Sequence, residues 1–275
     1  MAINLGTGAI DKLYLGATEI TKAYLGATEI YSAGGVAFSP LSLFASGEEG
    51  AWYDPSDLTT LWTDTAGTTQ ATVGDSVARM DDKSGNANHM TQATAAARPI
   101  LRQSGSLYYL EFDGVDDFFI TPTGALGGYS TEFTIAVSET VTSGDLGNNT
   151  KRGFSLGSVF NGVATTGQKQ TFSQALDASL RFDGAFASGS LSSVPLSYVR
   201  LSTRNGTAIV DRINATENIN TTASLSDTVD EIVIAAAVSI VETNTFGHVV
   251  VNRELTAQEI SDLESYLADK SGVTL

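Results

Sequence analysis

Cysteine is absent from this 275-residue chain, and histidine occurs twice, as His89 and His248. The first absence excludes a disulfide framework, thiolate chemistry and Cys-based zinc sites. Two imidazoles are too few for a His-rich metal centre. Basic residues are scarce: 15 Lys and Arg stand against 31 Asp and Glu, for a formal charge of -16. With no basic cluster, a phosphate backbone is repelled, and nucleic acid is excluded as a partner. No apolar run is long enough to span a bilayer, so no membrane insertion is expected. The longest candidate, 231–240, suits a buried strand. The segment Met1-Ala2-Ile3-Asn4-Leu5 lacks the charged and apolar regions of a signal peptide, so the chain is expected to be soluble, with no export signal of its own. A Gly-rich phosphate loop, a Gly-x-Ser-x-Gly elbow and a His-based metal motif are also missing. The resulting expectation is no catalytic residue and no enzymatic activity.

What is present is enough apolar sequence for a core, 42% of residues, punctuated by turn signals. Asp113-Gly114, Asn161-Gly162, Asp183-Gly184 and Asn205-Gly206 each sit between apolar stretches, the strongest short-range hairpin signal. Phe133, Ile135 and Val137 alternate along a strand at 132–141, and 231–237 and 247–251 read as nearly continuous apolar strands. Many short strands at close spacing predict an antiparallel β-sandwich. The end is helical over 256–270: Thr256 and Glu259 form a capping box, Ile260, Leu263, Tyr266 and Leu267 form an apolar stripe, and Gly272 follows Lys270.

The stretch 51–119 opens with Ala51-Trp52-Tyr53-Asp54-Pro55-Ser56-Asp57, passes through Asp81-Asp82-Lys83-Ser84-Gly85-Asn86 and closes with Tyr109-Leu110-Glu111-Phe112-Asp113-Gly114-Val115-Asp116-Asp117-Phe118-Phe119. Together with the strand-then-helix ending, Val251 to Thr256 followed by Glu259-Ile260 and Tyr266-Leu267, it resembles the concanavalin A-like (laminin-G-like) lectin domains of bacteriophage tail and appendage proteins. The resemblance covers about residues 46–275. It implies an all-β, antiparallel jelly-roll sandwich, a structural protein of a virion, either tail fibre, spike or head appendage, and binding of host-surface glycan. A glycan-degrading appendage and a ligand-free decoration protein are the alternatives. The implied location is the phage particle surface, after assembly in the host bacterial cytoplasm.

The first thirty residues contain a repeat. Residues 21–30 match 11–20 at eight of ten positions, and 1–10 keep Leu5, Gly6 and Ile10. A ten-residue period suits a strand of about eight residues and a two-residue turn, with Gly16-Ala17 and Gly26-Ala27 as the turns. Such a piece is too small for its own core and exposes sheet edges. Its Leu13, Tyr14, Leu15, Ile20, Tyr24, Leu25 and Ile30 therefore need a cover. Residues 1–31 are expected to attach the chain to other virion proteins and to drive homo-oligomerisation, with a trimer favoured. Packing of this hairpin onto the main domain is the simpler alternative. Similar short N-terminal repeats occur in phage appendage proteins, where they attach the protein to the particle. Residues 32–50 read as a linker, whose apolar Val36, Phe38, Leu41, Leu43 and Phe44 suggest that it lies along a surface and is not free, and 51–275 as the sandwich with its helix.

Three candidate sites follow. Tyr53, Trp62 and Asp64 could bind a sugar ring by stacking and hydrogen bonding, while Trp52 reads as core. Asp82, Ser84, Asn86 and Asn88 place oxygens at every second residue, a spacing able to wrap Ca2+; a polar turn is the alternative, since no Glu closes the loop. Glu111 and Asp113, with Asp116, resemble the acidic strand of β-glucanases that share the concanavalin A-like fold, but Gly114 breaks the strand and favours a hairpin turn there.

Overall fold

The computed structural model describes residues 38–122, 124–125, 132–142, 197–217 and 242–275, together with the backbone of 143, 196 and 218–222 and of short strands at 13–15, 18–20, 22–25, 28–32, 152–157, 168–173, 180–182, 185–187 and 232–234. The chain divides into two units, Met1–Ser39 and Pro40–Leu275.

Among the described residues, the first unit holds two hairpins. Leu13–Leu15 pairs with Thr18–Ile20, and Lys22–Leu25 pairs with Thr28–Ser32, both antiparallel. Leu15 faces Thr18 and Leu25 faces Thr28; the expected turn residues Gly16-Ala17 and Gly26-Ala27 lie outside the described residues. The strands are shorter than the repeat period suggests and form two separate two-stranded sheets. The register slips between Ala23 and Tyr24, which leaves Ile30 as an extra residue. The side chains of the seven apolar residues expected to drive attachment lie outside the described residues.

The second unit is an all-β antiparallel sandwich with, among the described residues, one α-helix, at its C-terminal end. Its principal sheet contains β1 (Gly50–Tyr53), β2 (Ile100–Ser104), β3 (Leu107–Phe112), β4 (Glu132–Ser143), β5 (Leu196–Asn205), β6 (Ala208–Ile213), β7 (Thr216–Thr222) and β8 (Glu242–Val251). The order is β7-β6-β5-β4-β8-β3-β2, with β1 also on β8. β8 runs beside β4 along one edge; its other edge is shared, Thr243 to Thr245 pairing with β3 and His248 to Val251 with β1. Phe246 is the extra residue of a bulge, opposite the Ser138–Glu139 step of β4. Gly50 starts β1 at φ +138°, and a Cβ there would lie 2.1 Å from the Val250 carbonyl oxygen, so only glycine fits this approach.

The second sheet runs in the order 185–187, 180–182, 168–173, 152–157, 232–234, 119–120, 90–91, 79–80 and 61–62. The strand at Ile232–Ile234 is central in it, as its apolar sequence predicts. Phe182 faces Ala185 in the paired strands 180–182 and 185–187, while Asp183-Gly184 itself lies outside the described residues. Asn205 faces Ala208, which puts Gly206 at φ +59° first in that turn, one residue later than the sequence suggests. Asn214-Ala215, with φ of +48° and +61°, makes a further two-residue hairpin between β6 and β7 without a Gly signal. Asn161-Gly162 lies outside the described residues.

Asp113-Gly114 is not a hairpin turn. β3 pairs with β8 and β2, whereas Phe119–Ile120 belongs to the other sheet, so 113–118 crosses between sheets. Residues 40–50, read as a linker lying along a surface, belong to the second unit. Pro40–Phe44 is a 3-10 helix of the second unit, with Leu43 and Phe44 buried.

The helix α1 (Ala257–Ser271) is built as its sequence predicts. Thr256 and Glu259 form a reciprocal capping box, and Gly272 closes the helix at φ +71°. It lies on the outer face of the principal sheet, touching β5, β4 and β8. A Cβ at Gly247 would lie 3.1 Å from Leu267 Cδ2, so the glycine leaves that space to the leucine. Polar contacts fix the helix as well. Asp54, after β1, accepts hydrogen bonds from Tyr266 Oη at 2.8 Å and Lys270 Nζ at 2.9 Å, and Arg212 pairs with buried Glu264 at 2.8 Å. Burial works to raise the Asp54 carboxyl, but bonds from Ser56 and Lys270 and the charges of Lys270 and Lys83 hold it below the usual range.

Candidate functional site

β4 alternates between the two faces, with a register shift against β8 between Val141 and Ser143. Phe133, Ile135, Val137 and Glu139 point to the inner face, while Thr134, Ala136, Ser138, Thr140 and Thr142 point to the outer face under and beyond the helix. Past the helix, the outer face carries a polar row across four adjacent strands. Glu111 of β3 is in register with Asn244 of β8, Asn244 with Thr140 of β4, and Thr140 with Ser197 of β5. The hydroxyls of Thr140 and Ser197 are hydrogen-bonded at 2.7 Å. Arg102 of β2 extends the row, donating to Glu111 Oε1 at 3.0 Å.

This row opens into a cleft of about 410 Å³ at the strand ends, lined by Glu111, Phe112, Asp113, Thr142, Glu242 and Asn244. Phe112 is buried beneath it; Asp113, Thr142 and Glu242 are exposed at its rim. The Thr142 hydroxyl donates to the Glu242 carbonyl at 3.3 Å, which ties the ends of β4 and β8.

The crossover loop forms one wall. Asp113 Oδ1 accepts from the amides of Val115, Asp116 and Asp117 at 2.8, 3.2 and 3.4 Å, and Asp117 Oδ2 accepts from the Asp113 amide at 3.0 Å. Carboxylate oxygens of Asp113, Asp116 and Asp117 lie within 4.8 Å of one another. Asp117 is buried while the other two are exposed. Burial first, then the charges of Asp113, Asp116 and Glu111, push its carboxyl up to about 6, against the lowering effect of the Asp113 amide.

The inner face bears a second polar group. Tyr198 Oη donates to Glu139 Oε2 at 2.9 Å, and Arg200 Nε pairs with Asp211 Oδ1 at 2.9 Å, all four side chains being nearly or completely buried. Arg204 and His248 lie on the same face, and burial pushes His248 down to about 3, so it is neutral at pH 7. These six residues are inaccessible and serve to order the interior.

The residues expected to form sites fall elsewhere. Tyr53 is completely buried and its hydroxyl donates to the Asn88 carbonyl, so it offers no ring face to a ligand. Trp62 is half-buried, with Nε1 donating to Asp81 Oδ2 at 2.8 Å. Asp64 closes its own loop. Slight desolvation is outweighed by bonds from Thr68 and Thr69, which bring its carboxyl down to about 2. Asp82, Ser84, Asn86 and Asn88 do share one loop. Asp82 accepts four bonds, from the amides of Trp52, Ser84 and Asn88 and the Ser84 hydroxyl. Asn86 and Asn88 donate through Nδ2 to the Gly50 carbonyl. A cation at Asp82 would have to displace these donors. Of the residues weighed for acid chemistry, the structure brings Glu111 and Asp113 into the cleft and Asp116 beside it. Thr142, Glu242 and Asn244 were not singled out by the sequence; their polar positions alternate along strands, and only pairing shows that they share a face.

The comparisons with known proteins bear on the fold. No family model and no curated protein matches the chain. Solved structures do match it. A sialidase of Trypanosoma rangeli, in complex with 2,3-difluorosialic acid, aligns with a TM-score of 0.56 at 12% identity over 91% of this chain and 36% of the sialidase. Domain 4 of AbnA, an extracellular arabinanase from Geobacillus stearothermophilus, in complex with arabinotriose, aligns with a TM-score of 0.51 at 11% identity, over 79% of this chain and 98% of that domain. The ligand binding domain of botulinum neurotoxin serotype D, in complex with N-acetylneuraminic acid, aligns with a TM-score of 0.52 at 8% identity, over 83% and 53%. The chain spans about a third of the sialidase chains, and at these identities the shared property is the β-sandwich fold. It is a fold found in sugar-binding domains and within glycosidases. The expectation of a non-enzymatic protein is accordingly corrected: sialidases and an arabinanase are among the structural neighbours, so the missing sequence motifs do not exclude glycan chemistry.

Proposed function

We propose that the second unit is a glycan-recognition domain and that the outer-face cleft is where the glycan binds. The observation that carries this reading is the row Glu111, Asn244, Thr140 and Ser197 opening into the cleft. Sugars are read by closely spaced donors and acceptors on a rigid support, and four hydrogen-bonded strands supply that rigidity. The sugar ligands of the arabinanase domain and the toxin domain support the class of ligand. The biological setting in this proposal is a phage-like particle, in which the first unit attaches the protein to other virion proteins and the second meets host-surface polysaccharide. The ten-residue repeat and the likeness of 51–119 to phage lectin-like domains support that setting.

The test is to incubate the full chain with capsule or lipopolysaccharide from candidate hosts and to measure bound polysaccharide and newly released reducing ends together. Saturable binding that Asn244→Ala weakens supports the reading, and released sugar would add turnover to it. Binding unaffected by Asn244→Ala and Thr142→Ala together would place the glycan elsewhere on the molecule.

A further inference from the structure

From the charge of the cleft, we infer that this site selects neutral glycans and rejects acidic ones. The inference rests on the glycan-recognition reading and adds the ligand class. Three of the six lining residues are carboxylates: Glu111, Asp113 and Glu242. Asp116 and Asp117 stand behind Asp113 in the same loop, with carboxylate oxygens within 4.8 Å of its own. Among the described residues, the cation adjoining the cleft is Arg102, already engaged by Glu111 at 3.0 Å. The remaining lining groups, the Thr142 hydroxyl and the Asn244 amide, are uncharged, and Phe112 is apolar.

Such a lining suits a hydroxyl-rich, uncharged sugar. A carboxylate is an acceptor only, so Asp113 and Glu242 take hydroxyl protons in charge-assisted bonds, stronger than those between neutral partners. Asn244 supplies both a donor and an acceptor, and Thr142 a hydroxyl that can turn either way. A sialic or uronic acid carboxylate entering the cleft meets the same sign of charge at close range and finds Arg102 occupied. The chain's net charge of -16 adds a long-range repulsion in the same direction.

The experiment is calorimetric titration of the full chain with matched pairs that differ by an acidic group: lactose with sialyllactose, and a neutral galacto-oligosaccharide with an oligogalacturonide, at low and high salt. Arabinotriose serves as a further neutral probe. The expected result is binding of neutral members, with the acidic partner weaker by about tenfold or more at low salt and the gap closing as salt rises. The double variant Asp113→Asn, Glu242→Gln keeps acceptor oxygens at both positions and should narrow the gap at low salt. An acidic member that binds as well as its neutral partner at low salt overturns the charge selection while leaving glycan recognition standing. A gap that the double variant leaves unchanged overturns the assignment to this cleft. No binding by any neutral or acidic probe, with none to host polysaccharide, overturns glycan recognition itself.

Discussion

At the scale of single residues, Asp117 is the most informative side chain. It is 4% exposed, and its carboxyl is raised to about 6. A carboxyl raised above its unfolded value costs stability when ionised. That cost is absent below the unfolded value near 4, grows as pH rises through about 6, and is fully present at pH 7. Buried His248, lowered to about 3, has the opposite influence: it favours folding above its unfolded value near 6.5, and that support is lost as pH falls toward 3. The two effects oppose each other between about pH 4 and 6. Asp117→Asn keeps an acceptor for the Asp113 amide and removes the charge. It should stabilise the fold by about 1–2 kcal/mol at pH 7. The advantage should shrink below pH 5, leaving the acid side of the curve steeper. Urea denaturation of both proteins from pH 4 to 8 measures the difference, and a constant offset across that range would contradict this account.

At the scale of elements, β8 is the strand on which the second unit is assembled. It pairs with β4 along one edge and with both β3 and β1 along the other, while its outer face receives α1. Its flanks tolerate little change. Gly50 sits at φ +138° beneath the Val250 carbonyl, and Gly247 accommodates Leu267. Gly50→Ala should destabilise the second unit by about 2–4 kcal/mol, because strain at positive φ combines with a clash against backbone, which cannot swing away as a side chain can. Thermal unfolding followed by circular dichroism reads this as a clear fall in Tm; an unchanged Tm would mean that β1 does not hold this register on β8. The helix teaches a complementary lesson. Its cap, stripe and closing glycine are all set within a few residues of one another, and its limits, Ala257–Ser271, fall where those local signals place them.

At the scale of the whole molecule, the chain comprises a short unit of two hairpins and a large sandwich. The sandwich has its own buried residues and helix, so residues 40–275 should fold without 1–39. A chain starting at residue 40 is expected to melt cooperatively with a Tm within a few degrees of the full chain; a truncated chain that fails to fold would show that the hairpins complete the core. The all-β class, the helix and the central strand at 232–234 were legible in the sequence. Each is encoded by residues close together, through turn chemistry, capping or apolar run length. The cleft was not. Its lining comes from 111–113, 142, 242 and 244, and Thr142 and Glu242 meet across 100 positions of chain. Asp113-Gly114 marks the limit of local reading. The dipeptide specifies a change of direction, but whether the next strand returns along the same sheet depends on where its partner lies. β3 finds its partners in β2 and β8, and Phe119–Ile120 finds its own in the opposite sheet. Local backbone preferences determined the elements; long-range strand pairing, which aligns side chains distant in sequence on one face, decided where a ligand could bind.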